Sequence, residues 1–173
     1  MNNITVNMDN LTTDERNTLL KLIEKANKPK NKAWKPEIGE RYYCIRCDTW
    51  NMINSYNWND DSYDKRYYEI GNCFKTKEEV EFALEKQKVF TELKRFALEN
   101  NECELDWNDN EKSKYFIVYN NYLRNKIQVE SLCYTKYGGN NIYFSSMKVA
   151  KKAIEIIGED RLKKYYFEVN DNE

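Results

Sequence analysis

The stretch from Thr76 to Asn100 constrains the fold most, because it contains neither glycine nor proline and begins with a helix start signal. The hydroxyl of Thr76 can cap the first turn, and Glu79 three residues later completes a capping box. A helix from Lys77 to Glu99 would be about 34 Å long. Since a short sheet does not need a helix of that length, we expect it to contact a second structural element as well.

Two apolar stripes run along this predicted helix. The first has the spacing of a helix that lies on a sheet and consists of Val80, Ala83, Leu84, Gln87, Thr91 and Leu98. The second, on nearly the opposite face, consists of Phe82, Val89, Leu93 and Phe96. The second stripe either packs against the rest of this chain or forms an exposed patch that recruits another chain or a second copy. Phe82, Val89 and Phe96 are therefore candidate partner-binding residues.

A shorter stretch, from Asn141 to Gly158, repeats the pattern. When four residues of the first stripe, Val80, Ala83, Leu84 and Gln87, are shifted by 70 positions, they fall on Ala150, Ala153, Ile154 and Ile157. By the same shift Phe74 falls on Phe144 and Thr76 on Ser146. Chance similarity between two amphipathic helices is the alternative, but the repeated aromatic residue and hydroxyl cap favour an internal duplication.

The elements before the long helix are predicted from β-propensity and capping signals. Leu11 to Asn27 is predicted to be an amphipathic helix with a capping box at Thr12 and Glu15, and Lys28 to Lys35 a linker. The first predicted repeat has strands at Tyr42 to Cys47, Trp50 to Trp58 and Arg66 to Phe74, with a polar loop at Asn59 to Lys65.

The second predicted repeat follows an acidic loop at Glu99 to Glu111. Its predicted strands are Tyr115 to Asn120, Lys126 to Tyr134 and Ile142 to Phe144. A helix from Ser146 to Ile157 follows, with Gly158 as its C-terminal cap, and Tyr165 to Val169 is predicted to be extended. We therefore predict an α+β fold with an N-terminal helix and two repeats of a small antiparallel sheet followed by a helix. The corresponding segments are 1–33, 34–100 and 101–173.

The missing residue types and motifs argue against several kinds of enzyme. The chain has no histidine, which excludes catalysis by Ser-His-Asp or Cys-His groups and metal sites that need imidazole. It has neither a G-x-x-x-x-G-K-[ST] nor a G-x-G-x-x-G motif. With 28 basic and 29 acidic residues, bulk charge predicts neither a nucleic-acid binder nor a membrane-surface protein. We expect a non-enzymatic protein without a cofactor.

The five cysteines suggest a reducing compartment. They are odd in number, and their spacing is not that of a disulfide framework. Cys44 and Cys47 form a C-x-x-C, but no second pair completes a zinc site, and residues three apart on a strand face opposite sides. We interpret the cysteines as structural. The alternative is a metal site in which the fold brings Cys73, Cys103 or Cys133 next to Cys44 and Cys47. No apolar run reaches about 18 residues and no signal peptide is evident, so we expect a cytoplasmic protein without membrane contact.

Two loops combine aromatic residues with acids. One contains Trp58, Asp60, Asp61 and Asp64, and the other Asp106, Trp107 and Asp109. Neither has the spacing of a calcium-binding loop, and solvated acidic loops are the simplest interpretation. An aromatic residue flanked by acids also suits a basic protein partner, so Trp58, Asp60, Asp61, Asp106, Trp107 and Asp109 are candidate partner-binding residues.

One basic concentration lies near the C-terminus. It contains Lys148, Lys151, Lys152, Lys163 and Lys164. These side chains either form a solvated helix surface or contact nucleic-acid phosphates. A nucleic-acid-binding module is thus the alternative to a protein-binding one.

Three motifs resemble small proteins encoded by phages and prophages of Gram-positive bacteria. They are W-K-P-E-I-G-E-x-Y-Y at 34–43, R-Y-Y-E-I-G-N-C-F-K-T-K-E-E-V-E at 66–81, and I-Y-F-S-S through I-G-E-D-R-L-K-K-Y-Y-F at 142–167. The resemblance covers most of the chain after Trp34 and implies an accessory protein in a bacterial cytoplasm. Inhibitors of host defence, including anti-CRISPR proteins, are well represented in that class. The expected partner is a host protein such as a CRISPR effector or another nuclease.

The order of three strands and then F-x-T-x-E-E-V at the start of a helix is similar to AP2-type DNA-binding domains. The match consists of Phe74, Thr76, Glu78, Glu79 and Val80. It implies a three-stranded sheet, although the arginine-rich strands of that family are not evident here.

Overall fold

The computed structural model describes residues 11–27, 33–48, 50–122, 126–137, 139 and 141–169. The chain divides into two compact units, Met1–Pro36 and Glu37–Glu173. The second unit contains two small antiparallel sheets with helices, so the predicted α+β class is confirmed. The segments 34–100 and 101–173 lie almost entirely within this unit.

The first unit contains one described helix, α1 (Thr13–Asn27). The predicted capping box is present: the amide of Glu15 donates to the hydroxyl of Thr12 at 3.3 Å, and the amide of Thr12 donates to the Glu15 carboxylate at 2.9 Å. Of the predicted linker, residues 28–32 lie outside the described part of the chain.

The first sheet has two strands, β1 (Arg41–Ile45) and β2 (Ile53–Asn57), paired antiparallel with Tyr43 opposite Ser55. The predicted third strand at Arg66 to Phe74 is wrong, because only Phe74 pairs with β1. Its backbone exchanges two hydrogen bonds of 2.9 Å with Tyr43. The side-chain amide of Asn72 extends this pairing, bonding both the N–H and the C=O of Ile45 at 2.8 Å.

Half of the residues predicted as a polar loop and third strand form a helix, α2 (Ser62–Glu69). Asp61 caps it by accepting from the amides of Tyr63 and Asp64 at 2.8 and 2.9 Å. The aromatic rings that suggested a strand instead pack on the first sheet: Tyr67 lies against Tyr42, and Tyr68 against Trp58.

The long helix is α3 (Lys77–Asn100), in agreement with the prediction. The capping box at Thr76 is formed, because Thr76 Oγ1 accepts from the Glu79 amide at 3.2 Å and the Glu79 carboxylate accepts from the Thr76 amide at 3.3 Å. Its first half contacts β1, and the helix also packs against the C-terminal helices.

The second sheet has the strand order β4-β3-β5, with β3 (Lys114–Asn120), β4 (Lys126–Leu132) and β5 (Tyr143–Phe144) all antiparallel to their neighbours. Residues 123–125, between the two predicted strands of this hairpin, lie outside the described residues. Helix α4 (Met147–Ile157) follows, capped by Ser146 at its start and by Gly158 at its end, where φ is 94°.

The chain then forms a short helix, α5 (Glu159–Arg161), and a π-helix (Leu162–Tyr166). The predicted extended segment at Tyr165 to Val169 is wrong over its first four residues, because Tyr165 and Tyr166 lie in the π-helix, Phe167 has a φ of -98° with a ψ of -8°, and Glu168 has a φ of 57°. A bidentate ion pair fixes this region on α3, since Arg161 donates to both carboxylate oxygens of Glu92 at 2.7 and 3.1 Å.

One core joins the end of the first predicted repeat to the second. It contains Val89, Leu93, Phe96 and Ala97 from α3, Ile117, Ile142 and Phe144 from the second sheet, Val149, Ala150, Ala153 and Ile157 from α4, and Leu162. The second stripe of α3 thus faces the chain's own core.

Candidate protein-binding surface

The strongest candidate surface lies on the β1–β2 hairpin and the adjoining α2. Trp50, next to the hairpin turn, is fully exposed, and Tyr63 on the first turn of α2 is 69% exposed. Tyr56 on the edge strand β2 is also exposed. We call Arg46, Trp50, Tyr56 and Tyr63 the hairpin surface. Trp, Tyr and Arg are the residue types that contribute most to binding energy at protein interfaces.

A groove of about 530 Å³ runs beside these residues. It is lined by Tyr42, Arg46, Tyr56, Asn57, Asn59, Asp61, Tyr63, Asp64 and Tyr67. Tyrosine and asparagine dominate this lining, and the same types are enriched in antibody paratopes. There, rigid rings supply contact area and amides supply adaptable hydrogen bonds.

A buried carboxylate, that of Asp64, holds the base of the groove. Asp64 is 4% exposed and accepts from the hydroxyl of Tyr42 at 2.7 Å and from the amide of Asn59 at 2.6 Å. Burial, and next the carboxylate of Asp64, raise the pKa of Tyr42 well above its usual value. The pair therefore ties β1 to the start of α2 and fixes the position of Tyr63 relative to the hairpin.

A second network fixes Arg46. Its guanidinium donates to Asp48 at 2.8 Å and to the hydroxyl of Tyr56 at 2.6 Å, and its Cζ lies 5.9 Å from the centre of the Tyr56 ring. The hydrogen bonds from Arg46 lower the pKa of Asp48. Because these side chains hold each other, the conformational freedom of this part of the surface is already restricted.

Trp58, predicted to bind a partner, is a core residue instead. It is 1% exposed and packs edge-on against Tyr42, with ring centroids 5.8 Å apart. Its neighbours Asp60 and Asp61 remain nearer the surface, but Asp61 caps α2 and Asp60 forms an ion pair with Lys65 at 3.2 Å. Both carboxylates thus have structural partners.

The second acidic loop is also organised by local contacts. Asp106 accepts from the amide of Asn108, and Asp109 from the amides of Glu111 and Lys112, which lower its pKa. Trp107 packs edge-on against Tyr143 at 4.9 Å. The ammonium groups of Lys114 and Lys136 lie 5.5 and 5.1 Å from the Trp107 ring centre, so the tryptophan anchors the loop.

The exposed-patch interpretation of the second α3 stripe is wrong for three of its four residues, Val89, Leu93 and Phe96, which are buried. Val89 is 0% exposed and Phe96 is 9% exposed, and both belong to the core. Phe82 is partly buried against Tyr165, with ring centroids 5.3 Å apart. The other interpretation of this stripe, packing within the chain, fits all four of its residues.

The predicted basic residues divide into two groups. Lys148, Lys151 and Lys152 are exposed on α4, and none has an ion pair among the described residues. Lys163 is paired with Glu159 at 3.0 Å, and the ammonium of Lys164 lies 5.3 Å from the centre of the Tyr165 ring.

The cysteines lie in different environments. Burial raises the pKa of Cys44 to about 11 and that of Cys73 to about 12, which keeps these thiols protonated at neutral pH. Cys44 is buried and Cys47 exposed. Among the described residues, no group of three or more Cys, Asp or Glu side chains is placed to hold a metal ion.

Sequence reasoning missed Arg46, Trp50, Tyr56 and Tyr63. A usable signal was present, because residues 50–63 read W-N-M-I-N-S-Y-N-W-N-D-D-S-Y and are rich in Asn, Tyr and Trp. Within the described part of the chain, no helix has both the length and the apolar character needed to cross a membrane. Comparisons with protein-family models, curated proteins and solved structures find no significant match.

Proposed function

We propose that the chain is a non-enzymatic phage accessory protein that binds and inhibits a host protein in the bacterial cytoplasm, and that the hairpin surface makes the contact. A defence nuclease is the proposed target, as for an anti-CRISPR protein. The exposure of Trp50, Tyr56 and Tyr63 on the β1–β2 hairpin and the following α2 carries the proposal, because exposed Trp and Tyr side chains are the types that contribute most at protein interfaces.

The charges of the surface support a contact based on aromatic burial. Arg46 is paired with Asp48, and Asp60 with Lys65, so both signs are matched locally. Asp61 and Asp64 accept hydrogen bonds within the fold. The partner therefore need not be strongly basic; it needs a concave or apolar site for Trp50 and acceptor groups for the tyrosine hydroxyls.

Affinity purification from infected host cells tests the proposal, with the wild-type chain and a Trp50→Ala, Tyr63→Ala variant compared. Each substitution should weaken the binding free energy by about 2 kcal/mol or more, so the partner should be absent from the eluate of the double variant. Tyr122→Ala, at an equally exposed tyrosine that follows β3, is the matched control and should retain the partner. Equal recovery of one partner with all three chains would contradict the hairpin surface.

The alternative is nucleic-acid binding through Lys148, Lys151 and Lys152, which is favoured by their exposure without ion pairs on one surface of α4. Three phosphate contacts predict that log K falls with log salt concentration with a slope of about −3 on duplex DNA. Filter binding at low and moderate salt measures this slope. If the protein retains no DNA on the filter at low salt, nucleic-acid binding is excluded as the alternative.

A further inference from the structure

A cleft of about 710 Å³ lies between α3 and the C-terminal segment, apart from the hairpin surface. Its volume is in the range of small-molecule sites, about 300 to 1,000 Å³. The described residues that matter most to its chemistry are Lys86, Gln87, Phe90, Tyr165, Phe167 and Glu168.

Aromatic rings form the walls of this cleft, and each is held by other contacts. Tyr165 packs on Phe82, Phe167 packs on Tyr119 at 6.0 Å, and Tyr166 packs edge-on against Phe167 at 4.9 Å. All the wall aromatics are partly buried and rest on the core. Because the rings are fixed before a ligand arrives, a flat ligand can stack at a low cost in conformational entropy.

The polar groups of the cleft are available to a ligand. The side-chain amide of Gln87 is exposed and makes no hydrogen bond to another described residue. Lys86 is paired with Glu168, but their side chains are 41% and 55% exposed, and exposed ion pairs contribute little free energy. An anionic group of a ligand can therefore replace the Glu168 carboxylate beside Lys86.

The backbone along one side of the cleft has two uncommon features. Leu162–Tyr166 is a π-helix, and Glu168 has a φ of 57°, in the left-handed region that non-glycine residues rarely adopt. π-helical turns and such backbone strain both concentrate at functional sites. Here the π-helix places Tyr165 and Tyr166 in the lining, and the left-handed residue carries the carboxylate that meets Lys86.

We propose that this cleft binds a mononucleotide. The base stacks on the aromatic walls, the Gln87 amide meets the donor and acceptor edge of the base, and the phosphate pairs with Lys86. The combination of flat rings, an uncommitted amide and an exposed lysine matches a base joined to a phosphate. An aliphatic ligand would leave the amide and lysine unused. This site is independent of the proposed binding to a host protein.

Isothermal titration of the full chain with AMP and UMP tests the proposal, with adenosine and inorganic phosphate as separate probes. We expect saturable binding of a nucleotide and much weaker binding of adenosine and of phosphate. Lys86→Met should weaken nucleotide binding about tenfold, or about 1.4 kcal/mol, and leave adenosine unchanged. Gln87→Leu should weaken the binding of both the nucleotide and adenosine. Lys94→Met is the control, because Lys94 is an exposed lysine on the same helix outside the cleft lining.

Glu168→Gln gives a test with the opposite sign. Removing this carboxylate frees Lys86, so we expect tighter nucleotide binding, a gain that a purely structural role for the ion pair would not produce. Absence of nucleotide binding in the wild-type chain would overturn the proposal. So would phosphate binding as tight as AMP binding, or equal losses in the Lys86 and Lys94 variants.

Discussion

Replacing Asp64 with asparagine tests whether the buried carboxylate holds the groove beside the hairpin surface. In the native chain both carboxylate oxygens accept, one from the Tyr42 hydroxyl and one from the Asn59 amide. Asparagine can accept with its single oxygen, but its NH₂ group would then face one of these two donors. Against the Asn59 amide the NH₂ group would meet another donor. Against Tyr42 the hydroxyl oxygen could accept from it, but the hydroxyl would lose its own acceptor, so in either case one buried donor is left without a partner.

The size of the effect follows from the two hydrogen bonds. A hydrogen bond to a charged group contributes about 1.5 to 3 kcal/mol, and a buried donor left without a partner costs about 1 to 3 kcal/mol. We therefore expect Asp64→Asn to lower the free energy of unfolding by about 2 to 4 kcal/mol, and Tyr42→Phe by about 1 to 2 kcal/mol. Because the residues are in direct contact, the double variant should lose about 1 to 2 kcal/mol less than the sum of the two.

Urea unfolding at neutral pH, followed by tryptophan fluorescence, measures all four chains. Asp48→Asn is the matched control: this carboxylate is exposed and paired with Arg46, so its loss should change the free energy of unfolding much less than the loss of the buried Asp64 carboxylate. An Asp64→Asn variant as stable as the Asp48→Asn variant would refute the reasoning. Additive effects of the Tyr42 and Asp64 changes would refute the coupling between them.

Two further predictions concern the framework. Asn101→Ala removes two hydrogen bonds, one from the Asn101 side-chain amide to the Tyr143 carbonyl at 3.2 Å and one from the Ser145 amide to Asn101 Oδ1 at 2.9 Å. It should lower the free energy of unfolding in urea by about 1 to 3 kcal/mol, and an unchanged free energy would mean that water replaces both bonds. The pKa of Cys44 is raised to about 11 from 9.0, so the unfolded thiol ionises first and stability should fall as pH rises from 9.0 towards 11. Thermal melts across this range should show a smaller decline for Cys44→Ala, and an identical decline would contradict the assignment.

The helix ends were predictable because their signals are local. Thr76 with Glu79, Ser146, and Gly158 each fix a terminus through contacts with backbone groups within four residues. The α2 helix was missed because two signals conflicted. Asp61 is a good N-cap, but Arg66 to Ile70 contains adjacent tyrosines with high β-propensity. Packing of Tyr67 on Tyr42 and of Tyr68 on Trp58 stabilises the helix, and such tertiary contacts are not visible in the sequence.

The candidate site was harder to predict for a related reason. The first predicted stripe on α3 is wrong at Gln87 and Leu98, which are exposed, and only the fold shows that Val89 and Phe96 belong to the core shared with α4 and the second sheet. In the same way, Trp50 and Trp58 have similar neighbours in the sequence, yet one is fully exposed and the other buried. The difference arises because Trp58 follows β2 and packs under Tyr42 and Tyr68, whereas Trp50 precedes that strand, next to the hairpin turn.

The two halves of the second unit have the same order of elements, which explains where the hairpin surface lies. In each half a hairpin is followed by an aromatic residue that pairs with the first strand, Phe74 with Tyr43 and Phe144 with Tyr115, and then by a capped helix. The halves differ between the hairpin and that aromatic residue. The first has α2 there, whereas the described residues at this place in the second, 133–137, 139, 141 and 142, belong to no helix or strand. Tyr63 and the Asp64 contact to Tyr42 belong to α2 and its start, so the hairpin surface depends on a helix that has no counterpart among the described residues of the second half.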